Sequence, residues 1–176
     1  MSFTKDEVLK KINKAYFSSH DITEYDNDEG LVMGAEFHLH SEKYLLSRKA
    51  QLYQMDSNEY VFVYYYPHLT LDNFEKAVAE TYDQNYPKIQ PNENHRSSYI
   101  VTEFMCDTYD DDVLKALKKY RKRENFQFSL HGWMEVHTAL IDLGTESVNT
   151  NSDGRLTGEF LKRVLHPKKR RGIRLF

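Results

Sequence analysis

Glu124-Asn125-Phe126-Gln127-Phe128-Ser129-Leu130-His131-Gly132-Trp133-Met134-Glu135-Val136-His137-Thr138-Ala139-Leu140-Ile141-Asp142-Leu143 is the stretch whose reading decides the fold. In an extended chain, alternate side chains share a face. Phe126, Phe128, Leu130, Met134 and Val136 then fall on one side. Ser129, His131, Trp133, Glu135 and His137 fall on the other, which carries the only Trp and two of the eight His. The stretch reads as the central strand. It is long for a strand, which usually runs about 5–6 residues. Its apolar phase also changes, because Ala139, Ile141 and Leu143 continue the face on which Glu135 and His137 lie. A bulge, a change of covering or a split into two strands accounts for this, and Gly132 is the natural break point.

Before this stretch, Asp107 to Asp112 places carboxylates at the start of a helix. Lys118, Lys119, Arg121, Lys122 and Arg123 sit at its other end, matching the helix dipole. The strand ahead of it is Ser98 to Cys106. Thr70 caps an earlier helix with the stripe Leu71, Phe74, Ala77, Val78, Thr81 and Tyr82. Before that, three strands form an antiparallel meander. They run Leu31 to His40, Tyr44 to Met55 and Tyr60 to Tyr66, with turns at Ser41-Glu42-Lys43 and Asp56-Ser57-Asn58. The acidic segment Asp21 to Gly30 reads as a loop. Thr4 and Glu7 form a capping box for a first helix ending near Ser18, with Phe3 and Val8 as its staple. Beyond the central stretch, Glu146 to Asn151 adds a short strand. Thr157 caps a last helix, which His166-Pro167 ends. The fold expected is α+β, possibly α/β. It has a single mixed sheet of about five or six strands, covered by three or four helices.

A chain of 176 residues suits one domain, taken as residues 1–166, followed by a basic tail at 167–176. Aromatic residues number 13 Tyr, 10 Phe and 1 Trp, enough bulk for a core without staples. A single cysteine, Cys106, excludes an intrachain disulfide and suits a reducing compartment. It reads as a small buried hydrophobe. The N-terminus has no apolar signal core, and no run is long enough to span a bilayer. The chain reads as cytoplasmic, with no membrane partner and no cofactor. Its net charge of -3 hides an asymmetry. Residues 1–112 hold 10 Lys and Arg against 21 Asp and Glu, whereas residues 113–176 hold 14 against 6. Complementarity between halves of one fold explains this, as does self-association or an anionic partner.

Four candidate ligand-binding residues stand on the polar face of the central stretch: His131, Trp133, Glu135 and His137. His131, Glu135 and His137 also have ligand types suited to a metal such as zinc, and His38 and His40 on the first strand form a second such set with Glu36. The polar side of a half-buried sheet explains the same residues. Asn149 to Gly154 has the opening spacing of a calcium loop, but Phe160 stands where a bidentate Glu is needed, so a turn is the better reading. Lys118, Lys119, Arg121, Lys122 and Arg123, with Lys168, Lys169, Arg170 and Arg171 in the tail, are candidates for contact with nucleic acid. Solvated charge is the alternative.

The order helix, three strands, helix, strand resembles the core of PD-(D/E)xK nucleases. That resemblance implies metal-dependent phosphodiester hydrolysis, with an Asp on the second strand and Glu-x-Lys on the third. This sequence departs from the pattern: Glu59-Tyr60-Val61 has Val in place of Lys, and the second strand carries Arg48 and Lys49. The stretches Phe128 to Glu135 and Asn58-Glu59-Tyr60-Val61-Phe62 also resemble bacterial proteins grouped as a domain of unknown function, which implies no activity. The reading that follows is a non-catalytic domain binding a small ligand or protein partner through the His131/Trp133/Glu135 face. Nucleic-acid binding or processing and metal-dependent hydrolysis are the alternatives.

Overall fold

The computed structural model of the chain describes residues 2–26, 30–43 and 53–167, and for 39–43 and 53–56 the backbone alone. Helix α1, Lys5–Tyr16, starts at the capping box read from the sequence. The Glu7 N–H donates to the Thr4 hydroxyl at 3.3 Å, and the Thr4 N–H donates to the Glu7 carboxylate at 3.2 Å. Val8, Ile12 and Tyr16 form its buried stripe.

An antiparallel meander follows, built from β1 (Asp21–Glu24), β2 (Leu31–Lys43) and β3 (Tyr53–Leu69). Its members differ from those expected. The acidic Asp21–Glu24 segment pairs with Met33 to Glu36 instead of looping. Ser41-Glu42-Lys43 and Asp56-Ser57-Asn58, expected as turns, continue β2 and β3 as paired backbone. A ladder joins backbone groups whatever the side chains are, so turn-type residues can be carried within it. The strand expected at 44–55 lies mostly outside the described residues. Pro67 does not stop β3, which runs on to Leu69. There β3 pairs only with β4 (His95–Tyr109), because β2 has ended, and proline is tolerated on such an edge.

Helix α2, Leu71–Asn85, carries the chain from β3 to β4, and the two strands are parallel. The Thr70 hydroxyl accepts from the Asn73 N–H at its start. Helix α3, Asp111–Lys119, leads to β5 (Arg123–Asn125) and then β6 (Trp133–Asp142), which lies parallel to β4. Strand order is β1-β2-β3-β4-β6-β5, with β7 (Ser147–Thr150) pairing the far half of β6. Helix α4, Arg155–Leu165, closes the described chain. The result is an α+β fold with one mixed sheet. Helices α1 and α4 cover Met33, Ala35, Val61, Val63, Val101 and Ile141 on one face, while α2 and α3 cover Phe62, Tyr64, Phe104 and Leu140 on the other.

The opening stretch is not one central strand. It is the β5–β6 hairpin, and β4 occupies the middle of the sheet. The Phe126 N–H donates to the Gly132 carbonyl at 2.9 Å, which closes a loop between them. Gln127, Phe128 and Ser129 have φ of 46°, 54° and 70°, so the chain turns left-handed where alternation implied extension. Alternation puts Phe128 and Leu130 on one side with Met134 and Val136, but Phe128 is fully exposed and Leu130 is 75% exposed, whereas Met134 and Val136 are buried. The phase change thus combines a split strand with a change of covering.

Candidate functional site

The register aligns one cross-sheet row on the α1/α4 face. Phe37 of β2 opposes Glu59 of β3, Glu59 opposes Tyr99 of β4, Tyr99 opposes Glu135 of β6, and Glu135 opposes Arg123 of β5. Two strands spaced about 4.8 Å apart put roughly 10 Å between the Glu59 and Glu135 backbones. The next row inward is Ala35, Val61, Val101 and His137, which begins the apolar core. The row therefore marks the border between covered sheet and open face.

A cavity of about 440 Å³ lies on that border, between the end of α1 and the start of α4. Phe37, Tyr99, Leu156 and Phe160 supply apolar wall, while Glu59, Glu135, Asp153, His20, His137 and Thr157 supply polar groups. Helix α1 ends at Tyr16, whose carbonyl accepts from both the Ser19 and His20 N–H groups at 2.9 Å. This turn directs His20 back over the sheet, with its Nε2 3.0 Å from Glu59 Oε2. Its ring packs edge-on against Tyr16 and lies 5.3 Å from Phe37.

On the other side, buried Asn151 fixes the start of α4. Its side-chain oxygen accepts from the Thr138 and Gly154 N–H groups, and its amide donates to the Tyr120 and Val136 carbonyls. Gly154, not Thr157, is the N-cap, and Thr157 stands within the first turn. Its hydroxyl instead meets His137 Nδ1 at 3.0 Å. His137 Nε2 stands 3.5 Å from Glu135 Oε2 and has no hydrogen-bond partner among the described residues. Burial lowers the His137 pKa, and the Glu135 carboxylate acts in the opposite sense. Glu135 also receives Arg123 Nη1 at 2.6 Å.

Two rows deeper, Glu103 is fully buried and accepts the Tyr16 phenol at 2.6 Å. Burial pushes the Glu103 carboxyl up to about 8, with the charge of Glu59 adding to it and the Tyr16 hydrogen bond opposing it. Burial likewise drives the Tyr16 phenol well above its usual range.

Of the candidates read from the sequence that are among the described residues, only Glu135 and His137 border the cavity. His131 sits in the hairpin loop, where its carbonyl lies 2.7 Å from His95 Nδ1. Trp133 lies one row farther out, beneath the Arg123 guanidinium at 5.7 Å. His38 shares a row with Asn58, Ser98 and Met134, on the opposite sheet face from Glu135. The side chain of His40 lies outside the described residues. Among the described residues, no three His, Cys, Asp or Glu side chains are placed to hold a metal ion.

Lys118, Lys119, Arg121, Lys122 and Arg123 are exposed. Two of them also make contacts within the fold: Lys122 Nζ sits 3.2 Å from the Tyr82 ring centroid, and Arg123 pairs with Glu135. Lys168, Lys169, Arg170 and Arg171 fall outside the described residues. No helix of the described residues is long and apolar enough to cross a membrane. Nothing in the local sequence marks Glu59, Tyr99, His20, Asp153 and Thr157 as binding residues. Their alignment depends on strand register and helix placement, which one sequence does not reveal.

A search of the curated proteins and a search of the solved structures found no match. A family model does match, and it spans residues 4–163, from the cap of α1 into α4. This chain belongs to that family, which is described as a domain of unknown function, DUF8052.

Proposed function

We propose that this domain binds a small organic ligand in the cavity between α1, α4 and the Phe37–Glu59–Tyr99–Glu135 row. The observation that carries this reading is the cavity of about 440 Å³, which lies within the size range of small-molecule sites. Apolar wall with a few convergent polar groups is the usual make-up of such sites. On the polar face of the 124–143 stretch, Glu135 and His137 are the binding residues, and Glu59, His20 and Tyr99 join them. His131 and Trp133 have no part in this cavity.

A fragment screen by ligand-observed NMR tests the proposal, run on the wild type and on Ala15→Phe. Ala15 lines the cavity on α1, so a phenyl group there fills it. Fragments that bind the wild type and are lost with folded Ala15→Phe are the expected outcome. Equal binding by both proteins, or no binding at millimolar concentration, overturns it.

A further inference from the structure

We infer that the ligand is an organic cation, an ammonium or amidinium group carried on an apolar or aromatic body. This rests on the small-ligand reading of the same cavity and adds its charge. Three carboxylates border the cavity, Glu59, Glu135 and Asp153, and among the described residues no lysine or arginine does. Two of the three flank Tyr99 in a single cross-sheet row. An aromatic ring between two carboxylates attracts a cation twice over, by Coulomb attraction and by the ring's negative face.

The groups that oppose a cation are few. Arg123 reaches Glu135 from the β5 side and does not line the cavity. His20 is already directed at Glu59. Burial lowers the pKa of His137, which favours its neutral form there. The start of α4 carries a partial positive charge, but Asp153 directly precedes it, and the end of α1 brings a partial negative charge to the opposite wall. His137 is 95% buried at the cavity, its Nε2 has no hydrogen-bond partner among the described residues, and Glu135 lies 3.5 Å away. An N–H donor from a ligand would satisfy the Glu135 carboxylate. An anion would face the carboxylates instead. The rings of Phe37, Tyr99 and Phe160 fit the apolar remainder of the ligand.

Three matched probes test the charge: phenethylamine, 2-phenylethanol and phenylacetate, titrated by NMR into the wild type at neutral pH. The amine is expected to bind about tenfold more tightly than the alcohol, with phenylacetate the weakest. Glu59→Gln and Glu135→Gln should each weaken the amine several-fold and leave the alcohol unchanged. Should either variant fail to fold, salt provides the second readout in the wild type: rising ionic strength should weaken the amine and not the alcohol. Alcohol or phenylacetate binding as well as the amine overturns the cation and leaves the cavity reading standing. So does failure of all three probes while other fragments are displaced by Ala15→Phe. Failure of every fragment overturns both.

Discussion

The Tyr16 phenol donates to the Glu103 carboxyl at 2.6 Å, joining α1 to the middle strand beneath the cavity. The second carboxyl oxygen of Glu103 is buried with no partner among the described residues. A carboxylate there would be poorly solvated, which is why burial raises its pKa.

This pair makes stability depend on pH with a definite sign. Glu103 holds its proton to about 8 in the fold, against 4.5 when unperturbed. Between those values the native state binds more protons than the unfolded chain, so stability falls as pH rises. His137 is shifted down from 6.5, so its effect comes only as pH drops below that value. The difference between the wild type and Glu103→Gln from pH 6.5 to 8 therefore reports on Glu103. Over that range, the wild type should lose about 2 kcal/mol more than the variant in urea unfolding, at roughly 1.4 kcal/mol per unit. Glu103→Gln keeps an acceptor for Tyr16 and should show none of that loss. A variant that declines as steeply as the wild type would rule the explanation out.

The hairpin loop predicts opposite outcomes for two neighbouring residues. Gly132 has φ of 74°, and a Cβ there would collide with the Arg96 carbonyl oxygen. Gly132→Ala should cost at least about 1–3 kcal/mol. Phe128 is fully exposed, so Phe128→Ser should change stability by no more than about 0.5 kcal/mol. Chemical denaturation of both variants checks this. A large loss in Phe128→Ser would mean that the ring is buried rather than exposed.

What the sequence made legible was local. Thr4 with Glu7 and Thr70 alone mark helix starts in the sequence, and each hydroxyl accepts from a backbone N–H three residues on. The stripes of α1 and α2 follow the same way. The failures are non-local. Asp21–Glu24 has a single apolar residue, Ile22, and becomes a strand because β2 offers it an edge. Asp56-Ser57-Asn58 has turn chemistry but is clamped between β2 and β4. Glu135 and His137 stood out as polar residues beside an apolar run. Glu59 and Tyr99 come from other strands, and only the register of β3, β4 and β6 sets them beside Glu135.

Asn151 is a single side chain that holds α4 to β6. It makes four hydrogen bonds, two as acceptor and two as donor, from a site only 2% exposed. Asn151→Ala leaves buried backbone groups unpaired and should cost about 2–4 kcal/mol. Asn151→Asp keeps both acceptor contacts but turns a charged oxygen toward the Tyr120 and Val136 carbonyls. It should be destabilised at neutral pH and recover as acid protonates it, whereas the alanine variant does not recover. Denaturation of both variants at two pH values separates them. Parallel pH responses would show that the amide donors matter little.

His137 links the core to the cavity, and its titration tests that link directly. Burial lowers its pKa below 6.5, and the Glu135 carboxylate pulls it back up. Glu135→Gln removes the opposing charge, so the His137 pKa should move further down. NMR titration of the ring protons measures this in both proteins. The linkage sign follows: His137 resists protonation in the fold, so its contribution to stability is present above 6.5 and is lost as pH falls. Thr157→Val keeps the side-chain volume but removes the hydroxyl at 3.0 Å from Nδ1, leaving both ring nitrogens without a hydrogen bond. It should cost about 1–2 kcal/mol, and Thr157→Ser should restore most of it. A His137 that titrates at or above 6.5 in the wild type, or a valine variant as stable as threonine, would mean that the ring is solvated from the cavity rather than held by α4.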